Sequence, residues 1–183
     1  MKELIFADVV DEKVIDVRTQ TAFQAGHLKN ALNLNPGNFK KYLDYFVGDD
    51  EKIVVVIDDV TVLDEISHDS VIGYLMADSI PEDTLVGVET IPASEFLGLE
   101  TDYILLDVRT PDEITRPAPE KNLLNIPFED LPKRLNDLDQ TKTIYTLCGS
   151  GNRSTAAASY LLTQGFDAQV IEGGMKAVQA VGE

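Results

Sequence analysis

Chemistry in this chain starts from Cys148, the only cysteine among 183 residues. Only the thiolate form of a cysteine is a strong nucleophile, so a reactive Cys148 needs neighbours that favour negative charge. The residues directly after it, Gly149, Ser150, Gly151, Asn152, Arg153 and Ser154, are of that kind. Glycine and asparagine enter left-handed backbone at little cost, so this stretch is able to curl tightly. Successive N–H groups in such a curl converge on one spot and form an anion-holding nest. Residues 154–164 read as a helix, whose free N–H groups and positive dipole end add to the same point. The pattern predicts a sulfur nucleophile held in a ring of main-chain amides. The competing reading is a small buried apolar cysteine, which leaves the polar and glycine-rich turn behind it unexplained.

Such a ring needs a strand to deliver it and a helix to receive it. Residues 143–147 are apolar and β-rich and lead straight into Cys148. The same alternation of short β-rich runs with helical stretches recurs along the chain, which is the pattern of α/β units around a parallel sheet. Strands are expected at 14–17, 53–57 and 85–88, then at 103–107, 143–147 and 168–171. Helices are expected at 22–25, 39–46 and 68–77, then at 111–114, 131–138 and 154–164. The chain also repeats itself: Ile15-Asp16-Val17-Arg18-Thr19 returns as Leu106-Asp107-Val108-Arg109-Thr110. A repeat of about 90 residues is too long for a solenoid unit and fits a duplicated domain. Residues 74–76 are read as the counterpart of residues 160–162. A helix start at 94–97 opens the second copy, giving domains at 1–90 and 91–183.

With these motifs in order, the chain resembles the rhodanese (sulfurtransferase) family. Cys148 to Ser154 is similar to that family's active-site loop, and residues 105–113 to the Asp-Val-Arg signature that opens its domain. Asn125-Ile126-Pro127 resembles the next element, and Ile171-Glu172-Gly173-Gly174-Met175 the closing strand and turn. The resemblance implies an α/β protein of two rhodanese-like domains, each a central, mainly parallel sheet flanked by helices. The tandem arrangement is also similar to the paired rhodanese tail of some persulfide dioxygenases.

The two copies differ. The Gly-His turn of the family stands in the first half as Gly26-His27, whereas the second half has Arg116-Pro117-Ala118-Pro119 there. Where the second half has Cys148 the first has Asp58, and Leu63 falls at the place of Arg153. A carboxylate is no sulfur nucleophile, and the β-branched Val60, Thr61 and Val62 resist curling into a nest. The first copy is therefore expected to be inactive, with Asp16, Arg18 and His27 structural.

Composition narrows the rest. There are 15 basic and 32 acidic residues, a net charge of −17, which argues against nucleic acid or an anionic membrane as partner. The acidity is explained more simply as a solubility feature. At 44% hydrophobic the chain has enough apolar residues for a core, and no run approaches membrane-spanning length. A start without a signal-like apolar segment and a cysteine without a partner suggest a cytoplasmic protein. His27 and His68 stand apart, so no metal is expected, and the absence of a glycine-rich phosphate loop indicates no nucleotide cofactor.

The implied reaction is sulfur transfer. Cys148 takes the outer sulfur of thiosulfate or a low-molecular-weight persulfide and passes it to a thiol, sulfite, cyanide or a protein cysteine, by double displacement. Arg153 either faces the ring as a cation or turns away to tie the loop to a carboxylate, the second suiting its bidentate geometry. Ser154 reads as the N-cap of the exit helix. Asp107 is read as fixing backbone near the loop; Arg109 is read either as a binder of an anionic donor or as its structural partner. Two rival classes remain: a cysteine phosphatase or arsenate reductase, and a non-catalytic docking module that keeps the fold. Phosphatase loops place five residues between Cys and Arg; here there are four.

Overall fold

Five consecutive apolar residues, Ile53–Ile57, offer no face to water, and all five are buried. Such a run suits the centre of a parallel sheet covered on both sides. The computed structural model describes residues 1–182, which divide into two units, Met1–Gly87 and a second starting at Val88. In the first unit the strands are β1 (Lys13–Asp16), β2 (His27–Leu28), β3 (Ala31–Asn33), β4 (Ile53–Ile57), β5 (Val71–Met76) and β6 (Leu85–Val86), with helices α1 (Gln20–Ala25) and α2 (Pro36–Phe46). Four of them make a parallel sheet in the order β3-β1-β4-β5, while β2 and β6 form a short antiparallel pair. Thr19 caps α1 and Asn35 caps α2, where Pro36 also presets the first turn. Phe39, Tyr42, Leu43 and Phe46 recur at helical spacing and form the buried stripe of α2.

One expectation fails in this unit. The helix expected at 68–77, as a match to 154–164, is absent: Val71–Met76 is a strand paired in parallel with β4. Val71 and Ile72 favour extended backbone, and burial alternates through Gly73 and Leu75, a period of two rather than 3.6. Gly73 allows a close approach: a Cβ there would lie 2.7 Å from the Lys2 carbonyl. Lys2 O accepts from Tyr74 N at 2.9 Å and Leu4 N donates to Tyr74 O at 2.8 Å, so the N-terminal segment adds a bridge to the sheet edge. Residues 74–76 therefore do not correspond to 160–162. The strand expected at 85–88 is shorter, Leu85–Val86.

In the second unit the strands are β7 (Thr90–Ile91), β8 (Tyr103–Asp107), β9 (Leu123–Asn125), β10 (Thr143–Leu147) and β11 (Ala168–Ile171). Its helices are α3 (Ala93–Leu97), α4 (Asn152–Thr163) and α5 (Gly174–Val181). All five strands are parallel, in the order β7-β11-β10-β8-β9. Phe96, Tyr103 and Tyr145 meet ring to ring at 5.3–5.6 Å within a cluster that includes Leu105, Leu147, Met175 and Val178. Helix α4 is buried along residues 154–159 and at Leu161; its run of alanines and serines lets it lie close to its neighbours. The helices expected at 111–114 and 131–138 are instead 3-10 turns, Pro111–Glu113, Phe128–Lys133 and Leu135–Asp137. Pro132, inside the second of these, has no N–H to continue an α-helix. Both units are α/β with a mainly parallel sheet and flanking helices, as expected. No helix among the described residues is long and apolar enough to cross a membrane.

Candidate active site

Strand β10 ends at Leu147, whose carbonyl accepts Val108 N at 2.9 Å, and Cys148 comes immediately after. Thr146, buried within β10, donates its hydroxyl to Ser154 O at 2.8 Å and so ties the strand to the first turn of α4. Between them the chain reverses through Gly151, whose φ of +110° lies in the left-handed region. That conformation disfavours any side chain with a Cβ. Gly149 is different: a Cβ there would meet nothing within 4 Å. Asn152 does not use the left-handed region; it is the first residue of α4.

The curl brings two main-chain donors to the sulfur. Gly151 N lies 3.0 Å from Cys148 Sγ and Ser154 N lies 3.3 Å from it. Ser154 Oγ is within hydrogen-bonding reach at 3.4 Å. Cys148 is 1% exposed, yet these groups give its sulfur a polar seat rather than an apolar one. Ser154 is not the N-cap that its sequence position suggests. Gly151 holds that place, and Ser154 sits in the first turn of α4, fully buried, with its amide and its hydroxyl both addressing the sulfur.

The loop carbonyls need partners of their own, and the second helix end supplies them. Met175 N donates to Cys148 O at 2.7 Å and Lys176 N donates to Gly149 O at 3.2 Å. These are first-turn amides of α5 with no partner inside the helix. They fix the carbonyls on one side of the loop and leave the amides free to face the sulfur on the other. The approach demands glycine: Gly174 has φ +60°, and a Cβ on it would lie 2.5 Å from Cys148 O and 2.7 Å from Gly149 O. Gly173-Gly174 is visible in the sequence as a closing turn, but its contact with the loop is not.

The arginines are both engaged. Arg153 Nη2 lies 2.5 Å from Glu113 Oε1, so it ties the loop to a carboxylate, the arrangement its geometry favours. Burial, the largest influence on the Glu113 carboxyl, pushes its pKa up. Hydrogen bonds and charge from Arg153, with help from Thr110, outweigh it and hold the group below its ordinary range. Arg109 forms a two-point pair with Asp107, Nε to Oδ1 at 3.0 Å and Nη2 to Oδ2 at 2.8 Å. Asp107 Oδ1 also accepts Arg109 N, and Asn125 Nδ2 donates to the carbonyls of both residues at 2.9 Å. Asp107 is 1% exposed and Arg109 5%. Of the two roles open to Arg109, its contacts are those of the structural partner.

Beside the loop lies an open cleft of about 370 Å³, lined by Gly149 and Met175 together with Arg109, Glu113, Thr115, Arg153, Lys176 and Gln179. Its floor is the Cys148 loop and one wall is α5. Glu113, Thr115, Lys176 and Gln179 do not stand out in the sequence as site residues. Glu113 could have been found, since an arginine in a loop calls for a carboxylate; the other three are ordinary surface residues in one dimension.

The rhodanese-like domain model matches residues 1–64 and 95–181. A protein of Allochromatium vinosum named sulfurtransferase is 30% identical over 79 residues, which cover 43% of this chain and 73% of that protein. The tRNA sulfurtransferase of Histophilus somni is 32% identical over 97 residues, 51% of this chain but 20% of that much longer protein. Among solved structures, a rhodanese-related protein from Thermoplasma volcanium is 31% identical across 51% of this chain and 93% of its own, with a TM-score of 0.48. The chain therefore belongs to the rhodanese-like domain family, whose domain it carries twice.

Proposed function

We propose that this chain is a sulfurtransferase in which Cys148 carries sulfane sulfur from a small donor to a thiol-type acceptor. The single observation behind this reading is the pair of amides, Gly151 N and Ser154 N, that point at Cys148 Sγ. In the first step the Cys148 thiolate attacks the outer sulfur of the donor. A new S–S bond forms on Cys148 while the donor's own sulfur–sulfur bond breaks. Thiosulfate leaves as sulfite, and a persulfide R–S–SH leaves as R–S⁻. In the second step a thiolate, sulfite or cyanide attacks the terminal sulfur of the Cys148 persulfide. The Cys148 thiolate regenerates, with a new persulfide, thiosulfate or thiocyanate as product. The amides of the ring lie where negative charge rests before and after each transfer. No second cysteine exists to resolve the persulfide as an internal disulfide, so the sulfur waits for an outside acceptor, a protein cysteine included.

In this proposal the catalytic domain is residues 91–183 and the domain of residues 1–90 is a degenerate copy. Residues Cys148 to Ser154 form the persulfide loop, and Asp107 and Arg109 position the strand end beneath it. The tie between Arg153 and Glu113 speaks against a phosphatase, whose arginine has to face a tetrahedral anion. A lone thiol suits a reducing compartment, and we place the reaction in the cytoplasm.

The test is intact mass measurement after incubation with thiosulfate and, separately, with glutathione persulfide. A gain of one sulfur atom that vanishes in Cys148→Ser supports the reading and names the donor. No gain with either donor leaves the chain as a docking module and refutes the proposal.

A further inference from the structure

Three side-chain cations line the cleft beside Cys148: Arg109, Arg153 and Lys176. The first two are held by carboxylates, Arg109 by Asp107 at 2.8 Å and Arg153 by Glu113 at 2.5 Å. Lys176 has no ion pair among the described residues, and its side chain is exposed. Its backbone is the opposite of mobile, because Lys176 N is hydrogen-bonded to Gly149 O. The Cα of Lys176 is thus fixed one hydrogen bond away from the residue next to the reactive cysteine. Gln179, three residues on and hence on the same helical face, lines the cleft as well and adds a neutral polar group. The setting sharpens the contrast, since the chain as a whole carries a charge of −17. An anion approaching such a molecule is repelled nearly everywhere, and a single uncompensated cation at the mouth decides where it enters.

We propose that Lys176 is a specificity-determining residue that receives the negatively charged group borne by the sulfur donor. The inference rests on the sulfurtransferase reading and extends it by naming the charge of the substrate and the side chain that meets it. The shared chemistry is an anionic group attached to the transferable sulfur: the sulfonate end of thiosulfate, or a carboxylate on a low-molecular-weight persulfide. Lys176 acts on binding rather than on the sulfur–sulfur bond, so its effect falls on KM. The two arginines do not substitute for it, because their charges are already met within the fold.

The experiment uses the full chain and three variants, Lys176→Gln, Lys176→Glu and Lys176→Arg, each at an exposed position where folding is unaffected, as a melting curve will verify. With thiosulfate and with glutathione persulfide in separate arms, Lys176→Gln should raise KM about threefold and Lys176→Glu about tenfold, as expected of an exposed charge pair. Lys176→Arg should restore the original value, and kcat should stay within about twofold throughout. The arm with the larger change identifies the donor. A second readout needs no turnover: the rate at which Cys148 is alkylated by anionic iodoacetate relative to neutral iodoacetamide. That ratio should fall by about threefold in Lys176→Gln and further in Lys176→Glu. Unchanged KM and unchanged alkylation ratio in both variants overturn the inference while leaving sulfur transfer intact. A shifted ratio in a protein that takes sulfur from neither donor sustains the role of Lys176 and refutes the sulfurtransferase reading. If neither reagent reaches Cys148, both fall.

Discussion

The two units carry the same clamp at the end of one strand and differ in the turn that leaves the next. In the first, Arg18 grips Asp16 through Nε at 3.0 Å and Nη2 at 2.7 Å, and Asn33 donates to the carbonyls of Asp16 and Arg18. In the second, Arg109, Asp107 and Asn125 repeat that arrangement bond for bond. Arg18 also donates to Gly26 O and Arg109 to Arg116 O, so even the replaced Gly-His turn keeps a carbonyl in place. A network present in both copies does not distinguish them. The difference lies beyond β4 and β10. After β4 come Asp58, Asp59 and a 3-10 turn, Val60–Asp64, that Asp59 caps through Thr61 N; after β10 come Cys148, the ring and α4. Strand order is shared as well, β3-β1-β4-β5 against β9-β8-β10-β11. The frame is therefore duplicated, and what sets the second unit apart is one turn and the two helix ends around it.

The largest effect is expected from exchanging the residues at the two strand ends. Cys148→Ser should abolish sulfur loading, and Asp58→Cys on that background should not restore it, because a 3-10 turn follows position 58 in place of the curl that follows Cys148. Intact mass after incubation with donor measures both; a loaded Asp58→Cys protein would show that a strand end and a thiol suffice. Next comes the support of the ring. Gly174→Ala places a Cβ against two loop carbonyls and strains a positive φ, which should cost at least ~2 kcal/mol and reduce sulfur loading with it. Gly149→Ala, with open space around it, should change stability by less than about 0.5 kcal/mol. Denaturant melts and loading rates of the two variants test the pair.

The two clamps, by contrast, should respond alike. Asp16→Asn leaves the half-buried Arg18, and Asp107→Asn the buried Arg109, without its carboxylate, at a cost of about 3 kcal/mol each. Equal destabilisation supports a purely structural clamp. A loss of sulfur transfer in Asp107→Asn beyond the unfolded fraction would give Arg109 or Asp107 a direct part in the reaction.

The smallest effect concerns pH. His27 is buried, stacked at 3.7 Å on Phe23, with Nδ1 2.8 Å from Phe23 O. Burial, the largest influence, lowers its pKa, and the Arg18 charge adds to this against the opposing pull of Phe23 O and Asp16. The unfolded chain then binds a proton that the folded one refuses, so stability falls as pH drops below about 6.5 and levels only below the lower folded value. His27 lies in the first unit, and the second unit has no histidine. Mild acid should therefore weaken the first unit before the second, and His27→Gln should flatten that slope, as melts between neutral and mildly acidic pH will report.

Much of this is readable in one dimension. The duplicated Asp-Val-Arg points to two copies, and the polar turn after residues 143–147 points to the ring. Periodicity misleads at 68–77, where Gly73 and a close-packed N-terminal segment turn a stretch of mixed pattern into a strand. The 3-10 turns around Pro111 and Pro132 pass for helices because their apolar spacing alone is helical. Ser154 looks like a cap because capping residues are recognised by type, whereas the cap here is set by a backbone angle at Gly151. The segment across the loop, Gly174, Met175 and Lys176, is hidden for a simpler reason: main-chain contacts between distant segments leave little trace in side-chain identity.

The bonds from Met175 and Lys176 to the loop carbonyls have a consequence for the order in which the protein matures. Residues 174–176 lie far along the chain from Cys148, so their docking is a separate event from the folding of the turn itself. Until that later segment docks, the turn around the thiol lacks half of what shapes it. In the proposed reaction the thiol is therefore unarmed in any partly folded chain and comes into force only when its unit closes.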